Sequence, residues 1–176
     1  VRQSDTAMYH AKAQGRSGIS IYTQNMQQET QDKLNLYNDL HQAIEQQAFT
    51  LVFQPQINEQ AEITGAEVLC RWTNRGVPVS PEVFIRAAEE TRLILPLGQW
   101  ILSESCRVLK RWRQQNVLPE SFRRLAVNIS PAQFMDENFE RYVTDQVSGN
   151  DLCSAQLELE ITESIFLGNK DTIRSK

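Results

Sequence analysis

The stretch Ala66-Glu67-Val68-Leu69-Cys70-Arg71-Trp72 decides how this chain is read. Successive side chains of a strand point to opposite faces. One face then carries Glu67, Leu69 and Arg71, and the other Ala66, Val68, Cys70 and Trp72. The same parity sorts three further runs. In 125–130, Ala126, Asn128 and Ser130 oppose Leu125, Val127 and Ile129. In 157–162, Glu158, Glu160 and Thr162 oppose Leu157, Leu159 and Ile161. In 51–57, Val52, Gln54 and Gln56 share a face. Strands are therefore expected over 51–57, 66–72, 124–130 and 156–162, each with one apolar and one polar or mixed face. A doubly wound sheet, buried on both sides, would read as continuous apolar runs. Two readings survive: an antiparallel sheet with one face in water, or a barrel with helices outside and a functional interior.

Helical patterns separate the last three strands. Ser80-Pro81 and Ser130-Pro131 each put an N-cap serine before a first-turn proline. Near 98–115, Ile101, Val108, Leu109 and Trp112 share a face; near 131–147, Met135, Phe139, Tyr142, Val143 and Val147 do so. Long helical crossovers favour parallel pairing. The expectation is an α/β fold with a mostly parallel sheet. Ahead of it, residues 24–48 read as a polar connecting helix, with Leu36, Leu40 and Ile44 spaced four apart. Residues 1–22 hold a short helical pattern, a turn at Gly15-Arg16-Ser17-Gly18 and a strand-like run at 19–22.

Composition narrows the function. Among 176 residues, 18 Lys+Arg stand against 22 Asp+Glu, a formal net charge of −4. A nucleic-acid polymer or a membrane surface needs dense basic charge, so neither is an expected partner of this segment. No apolar run reaches the length of a membrane span. Cys70, Cys106 and Cys153 form no CxxC pair and read as buried free thiols of a cytoplasmic protein. His10 and His41 lie far apart, outside the constellation below. The start at Val1 reads as a piece cut from something longer. Lys110-Arg111-Trp112-Arg113 reads as a helix with Trp112 buried and its charges solvated, Arg123-Arg124 as solvated charge, and Glu158 as one half of an ion pair.

If the sheet closes as a barrel, the C-terminal strand ends carry the site. Glu67, Arg71, Asn128 and Glu160 then converge from separate strands. Two carboxylates and an amide oxygen are hard ligands suited to Mg²⁺ or Mn²⁺. An arginine fork suits phosphate. Together they match metal-assisted phosphodiester hydrolysis.

The same residues carry a resemblance. Gln54-Pro55, Glu67-Val68-Leu69-Cys70-Arg71-Trp72, Val79-Ser80-Pro81-Glu82-Val83-Phe84-Ile85, Ala88-Glu89-Glu90-Thr91, Leu95-Pro96-Leu97-Gly98-Gln99-Trp100, Val127-Asn128-Ile129-Ser130 and Leu157-Glu158-Leu159-Glu160-Ile161-Thr162-Glu163-Ser164 resemble, in order and spacing, the EAL domain of cyclic di-GMP phosphodiesterases. Ser4-Asp5-Thr6-Ala7-Met8-Tyr9-His10-Ala11-Lys12 with the Gly15 to Gly18 turn and Tyr22 resembles the tail of a GGDEF (diguanylate cyclase) domain. The resemblance implies three zones: a GGDEF remnant over 1–23, a connecting helix over 24–48, and the N-terminal half of an EAL domain over 49–176. The implied fold is a partial TIM-like (β/α) barrel with an irregular first strand, stopping after about the fourth strand.

The resemblance also implies roles. Glu67, Asn128 and Glu160 would hold Mg²⁺ or Mn²⁺, with Glu67, Glu160 and Glu163 counted as catalytic. Gln54, Leu69 and Arg71 would line the dinucleotide site, with Arg71 near phosphate. Glu163 would order the following loop. The parent would cleave cyclic di-GMP to the linear dinucleotide pGpG, in the cytoplasm, as a homodimer through its EAL domain. Val68 departs from the alanine of the family's name motif, and a packing effect is expected because it faces away from Glu67. The family's paired aspartates and its later lysine, glutamate and glutamine have no counterpart before Lys176, so the piece alone is expected to be inactive. The alternative is a degenerate EAL domain that binds cyclic di-GMP or a partner protein without turnover.

Overall fold

The computed structural model describes residues 24–161. The expectations for residues 1–23, and those for Thr162 and Glu163, lie outside them. The chain divides into two compact units between Gln42 and Ala43. Helix α1 (Gln24–Glu45) supplies the described part of the first. Its polar sequence is tied by side-chain pairs spaced four residues apart. Gln28 donates to Asp32 at 2.8 Å, Gln31 to Asn35 at 3.1 Å, and the Lys33 ammonium lies 5.5 Å from the Tyr37 ring centre. Pairs spaced this way add about 0.2–0.5 kcal/mol each.

The second unit is built on a sheet of β1 (Phe49–Ile57), β2 (Ile63–Asn74), β3 (Val77–Val79), β4 (Arg124–Ile129) and β5 (Leu157–Ile161). The order is β1-β2-β4-β5, with β3 also on β2. Pairing is parallel for β2–β4 and β4–β5 but antiparallel for β1–β2 and β2–β3. The sheet is thus mixed rather than mostly parallel. The reason is connection length, since residues 58–62 are too few for a crossover. Asn58 closes that turn: its Oδ1 accepts from the N–H groups of Gln60 and Glu62 at 3.0 and 2.9 Å. Arg75 (φ 50°) and Gly76 (φ 82°) make the tight β2–β3 turn that strand twist favours.

Helices α2 (Pro81–Glu90) and α3 (Ile94–Gln114) bridge β2 to β4; α4 (Pro131–Phe134), α5 (Phe139–Gly149) and a 3₁₀ turn (Ser154–Gln156) bridge β4 to β5. Ser130 caps α4 through its hydroxyl, whereas Ser80 makes no side-chain cap on α2. The single helix expected near 131–147 is broken at 135–138, where Asp136 Oδ1 takes the Asn138 N–H at 2.7 Å. The apolar face survives the break: Phe139, Tyr142, Val143 and Val147 pack on the core, while Met135 is exposed.

The apolar strand face is the core. Ala66, Val68, Leu125, Val127 and Ile129 meet Leu102, Cys106 and Leu109 of α3. Burying a leucine-sized side chain stabilises by about 1.5–3 kcal/mol. Beside it, Phe49 stacks against Trp72, Phe84 and Trp100 with ring centres 5.8–6.0 Å apart.

Four side-chain expectations are revised. Cys70 and Cys106 are buried, but Cys153 is exposed. Lys110 and Arg113 are not simply solvated: Lys110 pairs with Asp151 at 2.9 Å, and Arg113 donates to Gln156 at 2.9 Å. Trp112 is half-buried, edge-on to Phe53 with ring centres 4.6 Å apart. Arg124 is likewise engaged, paired with Glu158 on the neighbouring strand. That gives Glu158 the ion pair expected of it.

Candidate functional site

With the apolar face committed to α3, the opposite face gathers the polar side chains. Antiparallel register sets Gln54 opposite Glu67, Val52 opposite Leu69 and Thr50 opposite Arg71. Parallel register sets Ala126 beside Glu67, Glu158 beside Ala126, and Glu160 beside Asn128. Ala126 is fully buried although it shares this face, filling the gap between two glutamates with a single methyl.

Asn128 Nδ2 donates to Glu67 Oε1 at 2.7 Å. Glu160 stands on the adjoining strand in register with Asn128. Its carboxyl is held above the ordinary carboxylate value, first by burial, then by the Glu67 and Glu158 carboxylates, with Arg124 pulling the other way. Glu67 and Glu160 therefore share one electrostatic environment on one face. Gathered carboxylates raise a protonation equilibrium because two negative charges repel at short range. A divalent cation relieves that repulsion, and oxygen donors of this kind suit Mg²⁺ or Mn²⁺. Among the described residues no cluster of three or more His, Cys, Asp or Glu is arranged to hold a metal. The set here is two carboxylates and one amide, which fits a hard cation that keeps several waters.

A cleft of about 580 Å³ opens at the C-terminal ends of β2 and β4. Leu69, Arg71 and Asn128 line it, with Ile85 and Glu89 of α2 and Ile94 of α3. Arg71 is exposed, and its Nη1 donates to the Cys70 carbonyl at 3.1 Å. Gln54 is exposed on the same sheet face, across the strand pair from Glu67. The structure thus brings Glu67, Asn128 and Glu160 together, sets Leu69 and Arg71 in the adjoining cleft, and places Gln54 on the shared face. Glu163 lies outside the described residues.

Sequence reasoning passed over Glu89 and Gln133, which also line the cleft. For Gln133 a signal was available. Ser130 and Gln133 have the spacing of a capping box, and both of its hydrogen bonds are made.

A mixed sheet with helical crossovers and an acidic-amide face defines an α/β domain built to gather oxygen donors. Residues 37–176 match the EAL domain family, and the chain belongs to it. It is 34% identical over 171 residues to the bifunctional diguanylate cyclase/cyclic di-GMP phosphodiesterase MucR of Pseudomonas aeruginosa, covering 96% of this chain and 24% of that protein. It is 32% identical over 173 residues to the cyclic di-GMP phosphodiesterase PdeR of Escherichia coli, covering 97% and 25%. The chain thus spans about a quarter of these relatives. Among solved structures, a MucR phosphodiesterase in complex with c-di-GMP superposes with TM-score 0.71 at 31% identity, covering 78% of this chain and 55% of that one. The EAL enzyme Bd1971 in its cGMP-bound form superposes with TM-score 0.74 at 29% identity, covering 85% and 42%. Among the described residues no helix is long and apolar enough to cross a membrane.

Proposed function

We propose that this segment is the N-terminal part of a partial (β/α) barrel in a cytoplasmic protein that hydrolyses cyclic di-GMP to pGpG. The observation that carries the reading is the 2.7 Å contact between Asn128 and Glu67, with Glu160 on the adjoining strand. In this reading Glu67, Asn128 and Glu160 hold one Mg²⁺ or Mn²⁺. Such a cation lowers the pKa of a bound water and offsets phosphate charge. Arg71 donates paired hydrogen bonds to a phosphate, Leu69 packs against the dinucleotide, and Gln54 orients it from β1. Glu163 orders the loop that follows β5. The GGDEF-like tail over 1–23, the connecting helix over 24–48 and association of two copies through the EAL segment belong to the same reading of the whole protein.

The test is isothermal titration of the chain with Mn²⁺ and then cyclic di-GMP, alongside turnover by the whole protein that carries it. The expected result is binding of both ligands, lost for the cation in Glu67→Gln and Glu160→Gln, together with turnover. Binding of the dinucleotide without turnover by the whole protein would replace the enzyme reading with a receptor. Binding of neither would remove the reading altogether.

A further inference from the structure

Gln133 takes no part in the reading above, yet its polar side chain is buried, at 6% exposure. Its Oε1 accepts the Ser130 backbone N–H at 3.1 Å, and the Gln133 backbone N–H donates to Ser130 Oγ at 3.3 Å. Ser130 lies two residues beyond Asn128, at the exit of β4. The other side of the same carboxamide rests on α3. A Cβ added to Gly98 would lie 1.8 Å from Gln133 Nε2 and 2.3 Å from its Cδ. With the Gln133 carboxamide in this place, only hydrogen fits at position 98. A simple helix cap requires no glycine on a neighbouring helix; this one is clamped between the end of a strand and the backbone of α3.

Asn128 must reach across from β4 to Glu67 on β2. We infer that Gln133, seated on Gly98, is a positioning residue: it fixes the direction in which β4 leaves the sheet and so aims the Asn128 carboxamide at Glu67. Its consequence for a cation rests on the function proposed above. Its geometry does not, because the Asn128–Glu67 hydrogen bond belongs to the chain itself. Groups that orient a metal ligand from behind typically change affinity by about 10–100-fold when removed.

The experiment follows the Asn128 side-chain NH₂ pair by ¹⁵N NMR in the full chain, assigned by its loss in Asn128→Asp. Thermal midpoints and Mn²⁺ affinity are measured on the same samples. In Gln133→Ala and in Gly98→Ala, the Asn128 pair is expected to shift and to exchange faster with water, and Mn²⁺ to bind about tenfold more weakly. Gln133→Glu keeps an acceptor for the Ser130 N–H and should retain the wild-type signal. The double variant Gly98→Ala/Gln133→Ala should be no worse than Gln133→Ala alone, because the new methyl enters the vacated space. An Asn128 pair that stays put in both single variants, or a double variant showing the sum of both effects, overturns the inference. Should a single variant fail to fold, Gln133→Glu and the double variant decide. Absence of Mn²⁺ binding by the wild type would count against the proposed function only, and the Asn128 signal would still judge Gln133.

Discussion

Asn128 and Glu67 are 61 residues apart in the chain and 2.7 Å apart between Nδ2 and Oε1. The contact matches a donor to a carboxylate on a face that also carries Glu158 and Glu160. Asn128→Asp removes the donor and adds a further negative charge. Without a divalent cation the variant should melt earlier, by the equivalent of about 1–2 kcal/mol, since a hydrogen bond is lost and a repulsion gained. Mn²⁺ should restore more of its midpoint than it adds to the wild type. Thermal denaturation with and without Mn²⁺ reads the difference, and a midpoint indifferent to the cation in both proteins would tell against a cation site.

Val68 lies on the opposite side of the same strand, 4% exposed against α3. Val68→Ala deletes two methyl groups from a packed core. The expected cost is about 1.5–2 kcal/mol in urea denaturation, from lost burial and the cavity left behind. Mn²⁺ affinity should not change, because Glu67 points the other way. A variant of full stability with weakened Mn²⁺ binding would reverse the assignment of the two faces.

That assignment was legible because parity needs only residue types. Glu67, Asn128 and Glu160 share a face through three strands whose ends fall within three residues of where the sequence put them, the β2 strand starting at Ile63 rather than Ala66. The direction of β1 was less legible. Its pattern of Val52, Gln54 and Gln56 says which face is polar, but direction is set by connection length, and five residues force a hairpin. β3, three residues long, leaves no periodicity to find. The break at 135–138 was invisible for a related reason: the apolar residues keep helical spacing on both sides while Asp136 diverts the backbone. The Gln133–Gly98 clamp pairs residues 35 positions apart whose spacing encodes nothing, although the capping half of it could be read locally.

The three thiols should separate by reactivity. Burial lifts Cys70 from the ordinary 9.0 to about 12, and Cys106 to about 11. Cys153 is exposed. The thiolate is the reactive form, so a disulfide reagent at pH 8 should label one thiol quickly, at Cys153, and the other two only on unfolding. Because the folded values are raised, the unfolded chain ionises first. Stability from this source is complete below pH 9 and lost as the pH climbs towards 11–12. Peptide mapping after timed labelling decides, and rapid modification of Cys70 in the folded chain would contradict the packing.

Arg71 tests whether the cleft recognises phosphate by geometry or by charge alone. Its guanidinium spends one donor on the Cys70 carbonyl at 3.1 Å and is otherwise exposed beside Leu69 and Asn128. A planar fork can place two parallel hydrogen bonds on one phosphate, whereas a lysine offers a compact point charge. If the proposed function holds, Arg71→Ala should weaken cyclic di-GMP binding by about 10–100-fold, in the range of a lost charge-assisted hydrogen-bond pair. Arg71→Lys should recover only a small part of that loss. Mn²⁺ affinity should stay at the wild-type value in both, because Arg71 contributes no oxygen donor to the trio. Calorimetric titration with each ligand separates the outcomes. Full recovery by lysine would make the contact one of charge, and a parallel loss of Mn²⁺ binding would place Arg71 in support of the carboxylates rather than of the phosphate.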